Sequence, residues 1–123
     1  MYTAYIAGVS DSNLIKVGVS ENLEKRMIQL HSYFGRCFSP LFSAPIPDTG
    51  WNIGKNYPAT AVETLVRRKF PADRSGTVVS YNRREFYSNT LIVPIADCIR
   101  EILSKNLHLR RRAGKVVIPR EWV

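Results

Sequence analysis

The sequence predicts a single α+β domain: a small sheet opened by a β-hairpin and flanked by helices. Two segments rich in aromatic and β-branched residues, 2–9 and 14–19, lie close together with a cluster of turn formers between them. Apolar residues then recur at helical spacing. The chain has 123 residues, 45% of them hydrophobic, which suffices for one modest core and not for two.

Each element follows from its residues. Residues 2–9 (YTAYIAGV) read as a strand, Ser10-Asp11-Ser12-Asn13 as a turn, and 14–19 (LIKVGV) as the returning strand. Ser20 is a suitable N-cap, and Glu21 and Glu24 fall in the first turn, where the helix dipole favours them. Leu23, Met27, Leu30 and Phe34 mark one helical face, so a helix is expected from Glu21 to Tyr33, ending before Gly35. Residues 37–46 are expected to return as a strand into the same sheet. Residues 45–58 hold three prolines and two glycines and predict a long exposed loop that Trp51 pins down. Pro58 suits the first turn of a second helix reaching Phe70. Strands are expected near 77–81 and 84–88. A third helix should start near Pro94, with Ile95, Cys98, Ile99, Ile102 and Leu103 as its apolar face. The tail from His108 is basic, then short and apolar, which divides the chain into a domain at 1–105 and a basic C-terminal extension at 106–123.

Composition removes several classes. No segment approaches the roughly 18 consecutive apolar residues of a membrane span, and residues 1–5 lack the charged start and apolar run of a signal peptide. Cys37 and Cys98 stand in no ligand-like pattern, and His31 and His108 add too little for a zinc site. Both cysteines are expected as reduced thiols in or near the core, in a cytoplasmic protein with no structural metal and no membrane partner.

The net charge is +8. Arg100, Lys105, Arg110, Arg111, Arg112, Lys115 and Arg120 oppose only Glu101 and Glu121 in the last 25 residues, so the excess is concentrated at one end. A basic block of this kind points to a polyanion, nucleic acid first, with a solubilising surface as the alternative.

Two charged residues adjoin apolar faces. Arg26 lies three residues after Leu23 and four before Leu30, while Glu24 and Lys25 fall on the solvent side. Glu63 is three residues before Val66 and seven before Phe70. A charge so placed is costly without a partner. An internal Arg26–Glu63 ion pair would satisfy both. So would a phosphate on the Arg26 fork together with a hard divalent cation on Glu63. Spacing alone leaves the two open.

The run Tyr2-Thr3-Ala4-Tyr5-Ile6, a short turn, Ile15-Lys16-Val17-Gly18 and then Glu24-Lys25-Arg26 resembles the opening of the GIY-YIG nuclease superfamily. Ala61-Val62-Glu63-Thr64-Leu65 and Arg84-Glu85-Phe86-Tyr87 extend the resemblance over roughly residues 2–104. It is strongest to the branch named after a phage T5 open reading frame and the fungal Mug113 proteins. The resemblance implies a small mixed or antiparallel sheet of about three strands, and a phage or bacterial origin; a phage-encoded copy would act in the host cytoplasm. It also implies a metal-dependent DNA endonuclease using Mg²⁺ or Mn²⁺. Tyr5 then takes the place of the first motif's tyrosine, Lys16 that of the second motif's tyrosine, and Gly18 that of its glycine. Arg26 becomes the phosphate-binding arginine and Glu63 the metal ligand. The first motif lacks its glycine, and Lys16 replaces a tyrosine often cast as general base, so that role passes to Tyr5 or to Lys16 itself. His31 and Glu85 are further candidates, and Asn82 or Asn89 could supply a late polar ligand.

Expected phosphate contacts are Arg67 and Arg68 with Lys69, Arg83, Arg84, Arg110, Arg111, Arg112 and Lys115, which give affinity and salt dependence without sequence readout. The expected partner is DNA, with RNA as the alternative, and the chain acts as a monomer or homodimer. The alternative function is a catalytically inactive nucleic-acid-binding module or regulator on the same fold.

Overall fold

The computed structural model describes residues 2–46, 57–71, 86–104, 110–112 and 115–117. Strands β1 (Thr3–Val9) and β2 (Leu14–Ser20) form the expected hairpin, with Tyr5 opposite Gly18 and Ala7 opposite Lys16. Its turn is tied down locally: the Ser12 hydroxyl donates to the Val9 carbonyl at 3.0 Å, and Asp11 takes a positive φ of 53°. Arg36 holds the turn from outside, one guanidinium nitrogen donating to the carbonyls of Ser10 and Asp11 at 3.1 and 3.2 Å.

Helix α1 (Leu23–Phe34) begins two residues later than expected. Ser20 remains in β2 opposite Thr3, and its hydroxyl accepts from the Asn22 N–H at 3.1 Å. Asn22 is the N-cap instead, accepting from the Lys25 N–H at 3.0 Å. The helix ends as expected at Gly35, in the left-handed region at φ 68°, which other L residues enter at a cost. Strand β3 (Phe38–Pro45) pairs antiparallel with β1, with a register irregularity between Ile6 and Ala7.

Helix α2 (Tyr57–Lys69) and helix α3 (Ile92–Ser104) follow their apolar patterns. A 3₁₀ turn (Asn89–Leu91) leads into α3, so the helix starts ahead of Pro94, whose missing N–H costs nothing in a first turn. Between the two helices, β4 (Phe86–Ser88) pairs antiparallel with β2. The sheet therefore has four antiparallel strands in the order β3-β1-β2-β4, one more than the expected three or so. The expected strand near 77–81, the loop around Trp51, and Asn82, Arg83, Arg84 and Glu85 lie outside the described residues. The basic extension contains two strands that the sequence did not predict. These are β5 (Arg110–Arg112) and β6 (Lys115–Val117), which pair antiparallel as a separate two-stranded sheet.

Strand alternation divides the core in two. On one face Ala4, Ile6, Ile15, Val17 and Tyr87 meet Val62, Leu65 and Val66 of α2 and Ile95, Ile99 and Ile102 of α3. On the other, Tyr5, Ala7, Val9, Leu14 and Phe86 meet Leu23, Met27, Leu30 and Phe34 of α1. Phe34, Phe38 and Phe86 pack there as an aromatic cluster, the Phe34 and Phe86 rings edge-on at 5.4 Å between centroids. Among the described residues no helix is long and apolar enough to cross a membrane.

Candidate functional site

The residues of the two strand motifs meet on the α1 face of the hairpin. Because Tyr5 pairs with Gly18 and Ala7 with Lys16, these four positions share that face. The Tyr5 ring lies over Gly18: a Cβ at position 18 would come within 2.6 Å of Tyr5 Cζ, so only glycine leaves the ring room. Tyr5 is completely buried and Lys16 is 2% exposed. The Lys16 ammonium lies 5.8 Å from the centre of the Tyr5 ring, at the outer limit of a cation–π contact, and makes a long hydrogen bond of 3.5 Å to the Val17 carbonyl. The Tyr5 hydroxyl is buried and has no hydrogen-bond partner among the described residues. A hydroxyl left so costs about 1–3 kcal/mol, and buried groups of this kind call for a reason.

Arg26 is half-buried in α1, among the buried or half-buried Leu23, Met27 and Leu30, while Glu24 and Lys25 are exposed. The helix that carries Arg26 is thus the one that covers the Tyr5 face. Glu63 is half-buried on α2, whose apolar residues pack on the opposite face of the sheet. Tyr5, Lys16 and Gly18 are therefore brought together, with Arg26 on their covering helix and Glu63 on the helix across the sheet.

Arg67, Arg68 and Lys69 are exposed in the last turn of α2, where cations suit the helix dipole. Arg110, Arg111, Arg112 and Lys115 fall in the β5–β6 ribbon, and β6 packs against α2. His31 is exposed near the end of α1, where its backbone carbonyl accepts from the Gly35 N–H at 2.8 Å. Asn89 is exposed, and its N–H donates to the Asn13 carbonyl. Among the described residues no group of three or more His, Cys, Asp or Glu is placed to hold a metal ion. A site built on Glu63 would draw its other ligands from water and from a substrate phosphate, as magnesium sites commonly do.

Two titrating groups are displaced. Partial burial, then a hydrogen bond and charge interaction with Glu21, push the Tyr2 phenol above its ordinary value. The hairpin register accounts for that pair, since Thr3 faces Ser20 and the next residues outward are Tyr2 and Glu21. Burial pushes the Cys98 thiol up, against a smaller opposing effect of Lys69. Both cysteines are free, but Cys37 is exposed and not in the core: it precedes β3, whose first buried residue is Phe38. The Arg36 clamp on the hairpin turn carried no sequence signal beyond a lone arginine after a helix-ending glycine.

Comparison with protein-family models, with curated proteins and with solved structures finds no match to this chain.

Proposed function

We propose that this protein is a metal-dependent endonuclease that hydrolyses phosphodiester bonds in DNA, with Tyr5 as its proton acceptor. The observation that carries this reading is the Tyr5 hydroxyl, which is buried, with an ammonium near its ring and no hydrogen-bond partner among the described residues. Such a hydroxyl can accept a hydrogen bond from, or donate one to, a water or phosphate oxygen. The water oxygen bonds to phosphorus as the bond to the 3′-oxygen breaks; the water's proton passes to Tyr5 in its phenolate form, beside the Lys16 ammonium, and the departing 3′-oxygen takes a proton from solvent. Arg26, half-buried on the helix above them, offers its fork of donors to the phosphoryl oxygens and stabilises the charge that develops there. Glu63 is the residue that would hold a magnesium ion, which when bound supplies Lewis-acid stabilisation of the departing 3′-oxygen. The products are 5′-phosphate and 3′-hydroxyl ends.

A second reading, a nucleic-acid-binding module without turnover, is favoured by burial. A base must meet water, and Tyr5 and Lys16 are 0% and 2% exposed. The carriage of Glu63 on the far helix points the same way. Nicking of supercoiled plasmid, with Mg²⁺ or with EDTA, separates the two when each reaction has a gel-shift control. The endonuclease reading expects metal-dependent nicking that Arg26→Ala and Glu63→Ala each reduce about 10²–10³-fold, with binding retained. Binding without nicking by the wild-type protein would favour the module.

A further inference from the structure

The C-terminal ribbon and helix α2 bring two basic segments together. β6 packs against α2, whose last turn presents exposed Arg67, Arg68 and Lys69. In the ribbon, Arg110 pairs with Val117, Arg111 with Val116 and Arg112 with Lys115, so positions 110, 112, 115 and 117 share one face and 111 and 116 the other. Cations in a last helical turn are accounted for by the helix dipole. That does not account for four further cationic positions on a ribbon packed against the same helix. Glu63 is the only acid in the α2 sequence and the β5 and β6 sequences contain none; on α3, Glu101 acts on the same Cys98 as Lys69, which leaves the arginines of α2 and the ribbon as the larger part of the charge. Like charges so gathered repel, and a bound polyanion relieves the repulsion.

We infer that the β5–β6 ribbon and the C-terminal turn of α2 form one docking surface for duplex DNA, the ribbon entering the major groove and the α2 cations meeting a flanking phosphate row. Dimensions support the ribbon's role: two strands lie about 4.8 Å apart, and three residues extend about 10 Å. The major groove of B-DNA is about 12 Å wide and admits a two-stranded ribbon, whereas the major groove of A-form RNA is too narrow. Arginine suits phosphates and guanine edges through its paired donors. This rests on the nucleic-acid part of the proposed function and assigns it a substrate class, double-stranded DNA, and a surface distinct from Tyr5 and Lys16.

The test is fluorescence anisotropy of the full chain in EDTA with a labelled duplex of about 20 base pairs, the matching single strand, and polyglutamate as competitor. Each neutralised phosphate contributes about 0.9 to the slope of log K against log salt. Arg110→Gln/Arg111→Gln/Arg112→Gln should lower the duplex slope by about 2–3, and Arg67→Gln/Arg68→Gln by about 2. A triple Arg→Lys variant of the ribbon should keep the slope, which separates loss of charge from misfolding. The wild-type protein should prefer duplex to single strand. An unchanged slope in the ribbon Gln variant, equal or tighter binding of the single strand, or competition by polyglutamate as effective as by duplex would overturn the inference. Nicking with an unchanged ribbon slope removes this inference and leaves the endonuclease. Ribbon-dependent duplex binding without nicking does the reverse.

Discussion

The Tyr5 ring packs on the backbone of Gly18, its antiparallel partner, where any Cβ would lie within 2.6 Å of Tyr5 Cζ. The hairpin register makes one unit of two residues far apart in sequence, and the Lys16 ammonium stands near it. The fold and the proposed chemistry both depend on this unit.

Gly18→Ala should therefore destabilise the protein by about 1–3 kcal/mol, the usual cost of overpacking a core. Urea denaturation checks this, as a lower midpoint with an unchanged slope.

Gly35→Ala tests a different cause. A Cβ there meets nothing within 4 Å, so its cost is purely that of holding φ at 68°. The expected loss is about 1 kcal/mol, with Gly35→Asn losing less because asparagine tolerates the left-handed region. Thermal melts of the two variants give the comparison.

The thiols should differ in reactivity. Exposed Cys37 should react with a thiol reagent in the native protein, and buried Cys98 only after denaturation. Cys98 titrates above an ordinary thiol because burial opposes the thiolate. Its stabilising contribution is thus fully present below the unfolded thiol's pKa and is lost as pH rises through the higher folded value. Cys98→Ser should flatten that alkaline loss, read from denaturation midpoints across the range.

Much of the fold was legible in the sequence, for physical reasons that can be named. The hairpin followed from two β-rich segments around Ser10-Asp11-Ser12-Asn13, and the end of α1 from Gly35. The start of α1 was not, because Ser20 and Asn22 are both competent caps and only the pairing of Ser20 with Thr3 decides between them. The ribbon escaped because three consecutive arginines read as a basic tail, with no alternation of apolar and polar residues to mark a strand. At the candidate site, the half-burial of Arg26 and Glu63 followed from helical spacing. The burial of Lys16 did not follow from its charge, although its place between Leu14 and Gly18 put it on the face of Tyr5.

In the proposed function the buried Tyr5 hydroxyl serves chemistry and not stability, and Tyr5→Phe separates the two. The variant removes an oxygen that has no hydrogen-bond partner among the described residues and keeps the ring on Gly18. Its denaturation midpoint should equal or exceed that of the wild-type protein, because replacing an unsatisfied buried hydroxyl carries no penalty. Magnesium-dependent plasmid nicking, measured on the same preparation, should fall about 10²–10³-fold. Nicking at the wild-type rate by Tyr5→Phe, or no nicking by the wild-type protein, would rule out Tyr5 as the proton acceptor.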